Sequence, residues 1–335
     1  MSGAEACRKA VFRSSGEKLI EMQPKRPTPK PYPSLMSLYR LDEDPELENP
    51  VLVAAFEGWV DSGAAGTTAA AQLVESGHTV ATFDPDAIYD YRARRPILDI
   101  VDGRPMTLAW AELNVRAAKV GHRDVLVLTG PEPDYRWREL ANDVTELAKR
   151  LGVVGWVSLG AIPAAVPHTR PVPILATASG PNLLPEGIRQ GPDGLLRVPS
   201  AALSVLELAV SSAGIPSVGF FAQVPHYVNS SYPTAAIALL TALGKYLGVN
   251  PPIGQLATRA LERRNMLDAA AANDEDTKAH VERLELLADE SRLPEGDELI
   301  ADIERYLREG GGGGGRGGGG GAGGDEEPDG GSRLH

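Results

Sequence analysis

The sequence predicts an α/β protein with a mostly parallel sheet, helices on both faces of that sheet, and a small C-terminal helical subdomain. In the middle of the 335-residue chain, short apolar and β-branched segments alternate with segments whose apolar residues recur every three or four positions. The stretch from Val51 to Ala71 contains one whole strand–turn–helix unit. The predicted strands are Val51–Phe56, Thr79–Phe83, Asp124–Thr129, Gly155–Leu159, Ile174–Ala178 and Ser217–Gln223.

The helices between these strands are predicted from apolar spacing. The residues Trp137, Leu140, Val144, Leu147 and Leu151 step by three or four positions, which gives a helix one continuous apolar face. Residues 199–213 and 234–248 have similar spacing and are also predicted to be helical.

A β-hairpin is predicted within residues 97–115, inserted on the sheet edge. Its turn is Asp102-Gly103, which separates the apolar runs ILDIV and MTLAW. Asp-Gly favours a two-residue hairpin turn because both positions tolerate positive φ.

Four regions are predicted along the chain: a flexible Pro-rich leader over 1–49, an α/β domain over 50–250, a helical subdomain over 251–309 and a disordered Gly-rich acidic tail over 310–335. Prolines are frequent in the leader, and strand signals stop after Ile253. Apolar residues at helical spacing follow, the last of them between Leu299 and Leu307. Glycine makes order in the tail entropically costly.

Composition argues against two classes of partner. The net charge of −12 argues against nucleic acid, because nucleic-acid binders usually carry a basic patch. No run of about 18 apolar residues occurs, so no membrane partner is expected. The single cysteine, Cys7, cannot form an internal disulfide bond, which fits a cytoplasmic protein. No cofactor is expected.

The turn after the first strand is the first candidate site. It carries Glu57, Trp59, Asp61 and Ser62, and the helix after it begins with backbone N–H groups that could bind an anion. In α/β proteins such turns lie at the carboxyl edge of the sheet, where ligands and partners bind. Three glycines, at positions 58, 63 and 66, are predicted to serve the turn and close helix–sheet packing.

This turn does not match the nucleotide and hydrolase fingerprints. Gly58 and Gly63 have Walker-loop spacing, but Ala64 and Ala65 replace the lysine and the hydroxyl residue. A dinucleotide turn would need Gly-x-Gly-x-x-Gly, and a nucleophile elbow would need glycine where Val60 stands. The turn therefore does not identify a reaction.

Two histidines each follow a Val-Pro pair after a predicted strand. They are His168 and His226, and both would face the same edge of the sheet as Asp61. With Ser62, these residues could form a Ser-His-Asp set for acyl transfer, but no spacing shows that the serine meets an imidazole. The alternative is that they form turns and hydrogen bonds within the scaffold.

A metal site formed by His168, His226, Glu57 and Asp61 is a weaker hypothesis than the acyl-transfer set, because no paired metal-ligand motif supports it. No metal is expected. Arginines could instead bind a carboxylate or phosphate, or could pair with the chain's many acidic side chains. These arginines are Arg92, Arg94, Arg95, Arg136 and Arg170.

Five segments together resemble the proteasome assembly chaperone family of the second type, and more narrowly its actinobacterial branch. They are FEGWVDSGAAG (56–66), DYRARRP (90–96), LTGPEPDYRW (128–137), GAIPAAVPHTRP (160–171), and VPHYV (224–228) followed by Tyr232-Pro233. The resemblance covers about residues 50–309, in the family's order, and leaves out the leader and the glycine tail.

This resemblance implies a phosphorylase/hydrolase-like α/β fold with a helical C-terminal part, and self-association as trimers or multiples of trimers. In eukaryotic and archaeal members the family role is to bind proteasome subunits and guide their assembly. No reaction is firmly attached to the bacterial branch. The candidate residues for binding a partner or ligand are Glu57, Trp59, Asp61, Ser62, Arg92, Arg95, His168, Arg170, His226 and Tyr227; none is assigned as catalytic.

The leading hypothesis is a non-enzymatic oligomeric binding or assembly factor, whose partners would be proteasome subunits or another protein complex. The alternative is a small-molecule hydrolase, transferase or ligand sensor with a pocket around Asp61, His168 and His226. A third possibility is a structural subunit whose sheet edge forms only the oligomer interface.

Overall fold

A computed structural model describes residues 37–192 and 194–290. The predicted segment Leu299–Leu307, the glycine tail and Cys7 therefore lie outside the described residues. The chain divides after Ser37, and the fold described below belongs to the unit that begins at Leu38. None of the helices in the described ranges combines the length and apolarity needed to cross a bilayer.

The described strands are β1 (Tyr39–Leu41), β2 (Val51–Glu57), β3 (His78–Phe83), β4 (Ile97–Val101), β5 (Arg104–Ala109), β6 (Asn114–Val120), β7 (Arg123–Pro131), β8 (Gly155–Ala164), β9 (Ile174–Ala178) and β10 (Ser217–Pro225). The described helices are α1 (Ala65–Leu73), α2 (Pro85–Ile88), α3 (Trp137–Arg150), α4 (Ala202–Ser212), α5 (Pro233–Leu247), α6 (Leu256–Ala272) and α7 (Glu275–Glu290).

Eight of these strands form one sheet, in the order β1-β3-β6-β7-β2-β8-β10-β9. The four central strands, β7, β2, β8 and β10, are parallel, whereas the pairings towards both edges are antiparallel. Parallel strands covered on both sides are continuously apolar, and the first six residues of β2 are all buried. The predicted α/β fold class is confirmed.

The two faces of the sheet carry two apolar cores. Successive side chains of a strand point to opposite faces, so Val51, Val53 and Ala55 enter the core beneath α1 and α5, while Leu52 and Ala54 enter the other core. The second core also contains buried side chains of α3 and α4. Helices therefore cover both faces, as the apolar spacing predicts.

The predicted hairpin is present as β4 and β5, but these strands pair only with each other among the described strands. The expectation that the hairpin extends the edge of the main sheet is thus wrong. In the chain it lies between α2 and β6, and all its strand residues are exposed. Strand β6, which follows it, was not predicted.

The described fold begins earlier than the predicted domain boundary at residue 50. Tyr39–Leu41 forms β1, which pairs with β3. Just before it, the buried Leu38 donates its backbone N–H to Asp143 on α3 at 2.5 Å. The last part of the predicted leader is therefore attached to the sheet edge and to α3.

Helices α6 and α7 lie within the predicted C-terminal helical subdomain. Helix α6 packs on α5 and α7 packs on α6. Most side chains of these two helices are exposed, and the buried ones are Leu256 on α6 and Val281 and Leu284 on α7. Their attachment to the α/β body is therefore expected to depend on polar contacts as well as on apolar burial.

Candidate functional site

The candidate residues gather at the carboxyl edge of the four central parallel strands. This is where open α/β sheets place ligand and partner sites. Strands β2, β7, β8 and β10 end at Glu57, Pro131, Ala164 and Pro225, and a turn or loop follows each. The prediction that His168 and His226 share an edge with Asp61 is confirmed, because β8 lies between β2 and β10.

Asp61 is buried, and its carboxylate holds the beginning of α1. Oδ1 accepts the backbone N–H of Gly66 at 2.7 Å and of Thr67 at 3.3 Å, while Oδ2 accepts the Thr67 hydroxyl at 2.5 Å. Ala64 occupies the N-cap position of α1, and its side chain has no hydrogen-bond acceptor. The carboxylate of Asp61, three residues earlier in the chain, therefore accepts the hydrogen bonds that an N-cap side chain usually accepts. The expectation that these N–H groups could bind an external anion is wrong for Gly66 and Thr67.

Burial raises the pKa of Asp61, and the hydrogen bonds from Thr67 and Gly66 oppose that rise. The residue is therefore a buried helix cap, and its carboxylate is already engaged. Next to it, Ser62 begins a short 3-10 turn over Ser62–Ala64.

Two glycines of this turn are required by close packing. A Cβ on Gly66 would lie 2.7 Å from the backbone oxygen of Leu159 on β8. Gly63 has φ of +64°, and a Cβ there would lie 2.8 Å from Cβ of Tyr232. Both observations support the sequence interpretation of these glycines as structural.

Glu132, which sequence reasoning did not single out, joins two segments of this edge. Its Oε2 accepts the backbone N–H of Trp59 at 3.3 Å, and its Oε1 accepts the N–H of Ala202, the first residue of α4, at 2.7 Å. A Cβ on Gly58 would lie 2.8 Å from Cβ of Glu132, so glycine leaves space for this bridge. The acidic PEPD segment was visible in the sequence, but its partners come from elsewhere in the chain.

His168 is buried between β8, the β10 loop and α6. Its Nδ1 lies 2.7 Å from the hydroxyl of Tyr227, which also accepts the His168 backbone N–H at 2.8 Å. Its Nε2 lies 3.1 Å from Oδ1 of Asp268. Arg264 pairs with the same aspartate and donates to the backbone oxygen of His168 at 3.1 Å.

The protonation states in this cluster follow from burial. Burial lowers the pKa of His168 despite the opposing effect of Asp268. Burial also raises the pKa of Tyr227 to about 12. Both side chains are therefore neutral near pH 7, when the Tyr227 hydroxyl can donate to Nδ1 and the imidazole can donate from Nε2 to Asp268.

The two residues after His168 attach α7 to the same edge. Thr169 donates its hydroxyl to Glu285, and Arg170 contacts Glu285 at 3.3 Å and Asp289 at 2.8 and 2.9 Å. The sequence left two roles open for Arg170, anion binding and pairing with acidic side chains. In the structure Arg170 pairs with acidic side chains.

His226 and Tyr227 lie at the end of β10 beside α7. His226 Nδ1 lies 3.2 Å from the backbone oxygen of Ala164, which it can reach as a donor. The ring centroid of His280, on α7, lies 5.2 Å from that of His226 and 6.1 Å from that of Tyr227. His280 was not a sequence candidate, because 54 residues separate it in the chain from His226.

Four other candidates are exposed side chains. Glu57 ends β2, and Trp59 in the next turn is 67% exposed. Arg92 and Arg95 are exposed in the segment between α2 and the hairpin. Within residues 37–192 and 194–290, no three His, Cys, Asp or Glu side chains are grouped so as to hold a metal ion.

The sequence profile of the PAC2 family matches residues 55–271, which is more than half of the chain. The chain belongs to the PAC2 family. The match begins in β2 and ends in α6, so it contains the turn after β2 and the His168–Arg170 segment. Helix α7, which these residues hold, lies beyond the matched part of this PAC2 protein.

Several solved structures that are similar to this PAC2 protein come from actinobacteria. A Mycobacterium tuberculosis protein of unknown function is 33% identical, with a TM-score of 0.71, over 78% of this chain and 94% of that one. A protein of unknown function from Corynebacterium glutamicum is 29% identical, with a TM-score of 0.70, over 75% and 97%.

A third similar structure is described as a proteasome-assembly chaperone homologue of Mycobacterium tuberculosis. It is 34% identical to this PAC2 protein, with a TM-score of 0.64, over 69% of this chain and 99% of that one. A comparison with curated proteins gave no match. The resemblance to the proteasome assembly chaperone family is thus confirmed at the level of family and fold.

Proposed function

We propose that this PAC2 protein is a non-enzymatic, self-associating binding or assembly factor. The observation that carries the proposal is the engagement of Asp61 and His168, the two groups from which a catalytic set would be built. Asp61 caps α1, and His168 is hydrogen-bonded to Tyr227 and Asp268. This use of their polar atoms does not favour a small-molecule hydrolase, transferase or sensor at this edge.

The side chains that this edge exposes suit recognition of a protein. Trp59 is exposed on a turn whose backbone is held by Glu132, and exposed tryptophans on rigid segments are frequent hot spots of protein interfaces. Proteasome subunits are the first partner to test, because a relative 34% identical to the chain is described as a proteasome-assembly chaperone homologue.

The partner proposal is tested with purified proteasome α and β subunits of the protein's own organism. We expect at least one subunit to bind, and Trp59→Ala to weaken binding about tenfold, as loss of a moderate hot spot would. The measurement is a binding isotherm by interferometry. Leu208→Ala is the matched control, because Leu208 is 68% exposed on α4. Absence of binding to both subunits would contradict the proteasome assignment, and an unchanged affinity of Trp59→Ala would remove Trp59 from the interface.

Self-association is proposed to use the β4–β5 hairpin. An isolated two-stranded hairpin is at best marginally stable in water, and large exposed apolar patches usually mark an interface. This hairpin exposes Ile97, Leu98, Ile100, Val101, Met106 and Leu108 to between 46% and 69%. A second copy of the chain would remove this surface from water, in line with the trimers expected from the family resemblance.

We expect the wild-type chain to sediment as a trimer or a multiple of a trimer at micromolar concentration. The double variant Ile97→Lys/Met106→Glu should shift it to monomer, because charged side chains on the hairpin are costly to bury in an interface. The two introduced charges are opposite, so the net charge of the chain does not change. Analytical ultracentrifugation measures the change, and Leu208→Asp serves as the control. A monomeric wild type, or an oligomer that the double variant leaves intact, would refute the hairpin interface.

A further inference from the structure

Helix α7 is attached to the rest of the fold by a small contact. Of its 16 residues, only Val281 and Leu284 are buried. At the sheet edge Arg170 pairs with Glu285 at 3.3 Å and with Asp289 at 2.8 Å. These ion pairs are partly exposed, so each contributes little to stability. Detaching α7 therefore costs much less free energy than opening the apolar cores of the sheet.

The junction between α6 and α7 contains no residue that breaks a helix. Residues 256–290 include neither glycine nor proline, and α6 ends in a run of alanines, the best helix formers. Asn273, which follows α6, has φ of −92° and ψ of −5°, still in the right-handed helical region. The bend between the two helices is therefore made at Asp274, and a continuous helix through this position is compatible with the sequence.

The side chain of Asp274 holds the bend. Its Oδ2 accepts the backbone N–H of Thr277 at 3.0 Å and also the hydroxyl of Thr277, which is the N-cap arrangement for α7. Glu275 and Asp276 in the first turn of α7 also favour a helix that begins here. Loss of one N-cap shifts a helix equilibrium only about fivefold, so the bent form is favoured by a small margin.

A second copy of the chain offers α7 the same contacts as its own chain does. Each copy carries an α6 and a sheet edge with Arg170, so an α7 that leaves its own edge can bind an identical one. If the helix straightens at Asp274, the 16 residues of α7 extend about 24 Å beyond α6. Exchange of an identical element between copies keeps its contacts and changes only the junction.

We propose that α7 is exchanged between copies of the chain, with α6 and α7 joined into one helix and α7 bound to the carboxyl edge of a neighbouring copy. The exchange rests on the proposed self-association, because copies held together by the hairpin present their edges at about millimolar effective concentration. His226 and Tyr227 of one copy then lie beside His280 of the other, as they do within the single chain. The sheet edge is thereby completed by a second chain.

The test compares label distances within and between full-length chains. Cys7→Ser removes the natural thiol, and spin labels are attached through Leu286→Cys on α7 and Arg138→Cys on α3, both exposed positions. A chain with both labels gives the docked distance by double electron–electron resonance, whether or not α7 is exchanged. Two singly labelled chains are then mixed until native mass spectrometry shows mixed oligomers. We expect the docked distance to appear between these chains.

Two substitutions at the junction sharpen the test. Asp274→Ala should raise the ratio of exchanged to closed α7 about fivefold, because it removes the cap that holds the bend. Asp274→Asn is the matched control, because it keeps a capping oxygen and should retain the wild-type ratio.

Sedimentation of the same samples separates the two ways of failing. Oligomers that never show the docked distance between chains, in wild type or in Asp274→Ala, would overturn the exchange and leave the self-association standing. A monomeric wild type would overturn both. An Asp274→Asn chain that exchanges as much as Asp274→Ala would also contradict the inference, because the cap would then not hold the bend.

Discussion

Gly130→Ala is expected to destabilise the fold by about 3 kcal/mol or more. A Cβ at this position would lie 2.2 Å from the backbone oxygen of Glu112 and 3.0 Å from Cα of Leu113. Both contacts are with backbone, so no side-chain rotation relieves them. Strand β7 would have to move away from the segment that enters β6, where Leu113 is fully buried.

The consequence extends to the candidate site. Gly130 is followed by Pro131, the last residue of β7, and by Glu132, which bridges Trp59 and Ala202. A displaced β7 would therefore also move this bridge. This explains why a glycine stands between an apolar strand and the acidic PEPD segment.

The loss is measured by denaturant or thermal unfolding, and a decrease in Tm of about 10 °C is expected for a domain of this size. Gly180→Ala is the matched control, because a Cβ there would meet only Leu183 Cδ1, at an ordinary 3.8 Å. A Gly130→Ala variant as stable as the control would show that the two segments are less closely packed than described.

The sequence predicted the parts of the fold that have a local signal. Buried parallel strands such as β2 and β8 are continuous apolar runs, and α3 has one apolar face, so their patterns needed no tertiary information. Strand β6 was missed because the predicted hairpin region, residues 97–115, covered its beginning at Asn114. Strand β1 has only three residues and gives no periodic signal.

The site was predicted less completely, because its contacts are distant in sequence. His168 was singled out, but its partner Asp268 lies 100 residues further along, on a helix with few buried side chains. Likewise, Arg170 meets Asp289 across 119 residues. Sequence spacing identified which side chains reach the sheet edge, whereas the choice between ligand binding and scaffold pairing depended on the three-dimensional packing.

The second large effect is expected for Asp61. Asp61→Ala should destabilise the fold by about 2 kcal/mol, because the N–H groups of Gly66 and Thr67 and the Thr67 hydroxyl would lose a buried acceptor. Asp61→Asn should stay within about 1 kcal/mol of wild type at pH 7. The asparagine oxygen can accept both N–H groups, and its amide can donate to the Thr67 hydroxyl oxygen.

The pH dependence of the unfolding free energy separates wild type from Asp61→Asn. Because burial raises the pKa of Asp61, the folded state binds a proton more tightly than the unfolded state, and the ionised carboxylate carries a cost at neutral pH. The stability of wild type relative to Asp61→Asn should therefore increase as the pH falls from 7 to 4. Urea unfolding at both pH values measures the difference, and a relative stability that decreases towards pH 4 would contradict the buried-cap assignment.

Asp61→Asn also tests whether the Asp61 carboxylate only caps α1 or also contacts the partner. Asp61 lies only two residues from the exposed Trp59, so an interface centred on the turn would be sensitive to Trp59→Ala but not to a buried substitution that preserves the cap. We therefore expect Asp61→Asn to bind the partner like wild type, and Asp61→Ala to lose binding only in proportion to its unfolded fraction. If Asp61→Asn keeps the wild-type stability but loses partner binding, the carboxylate itself takes part in recognition, and the assignment of Asp61 as a helix cap alone is wrong.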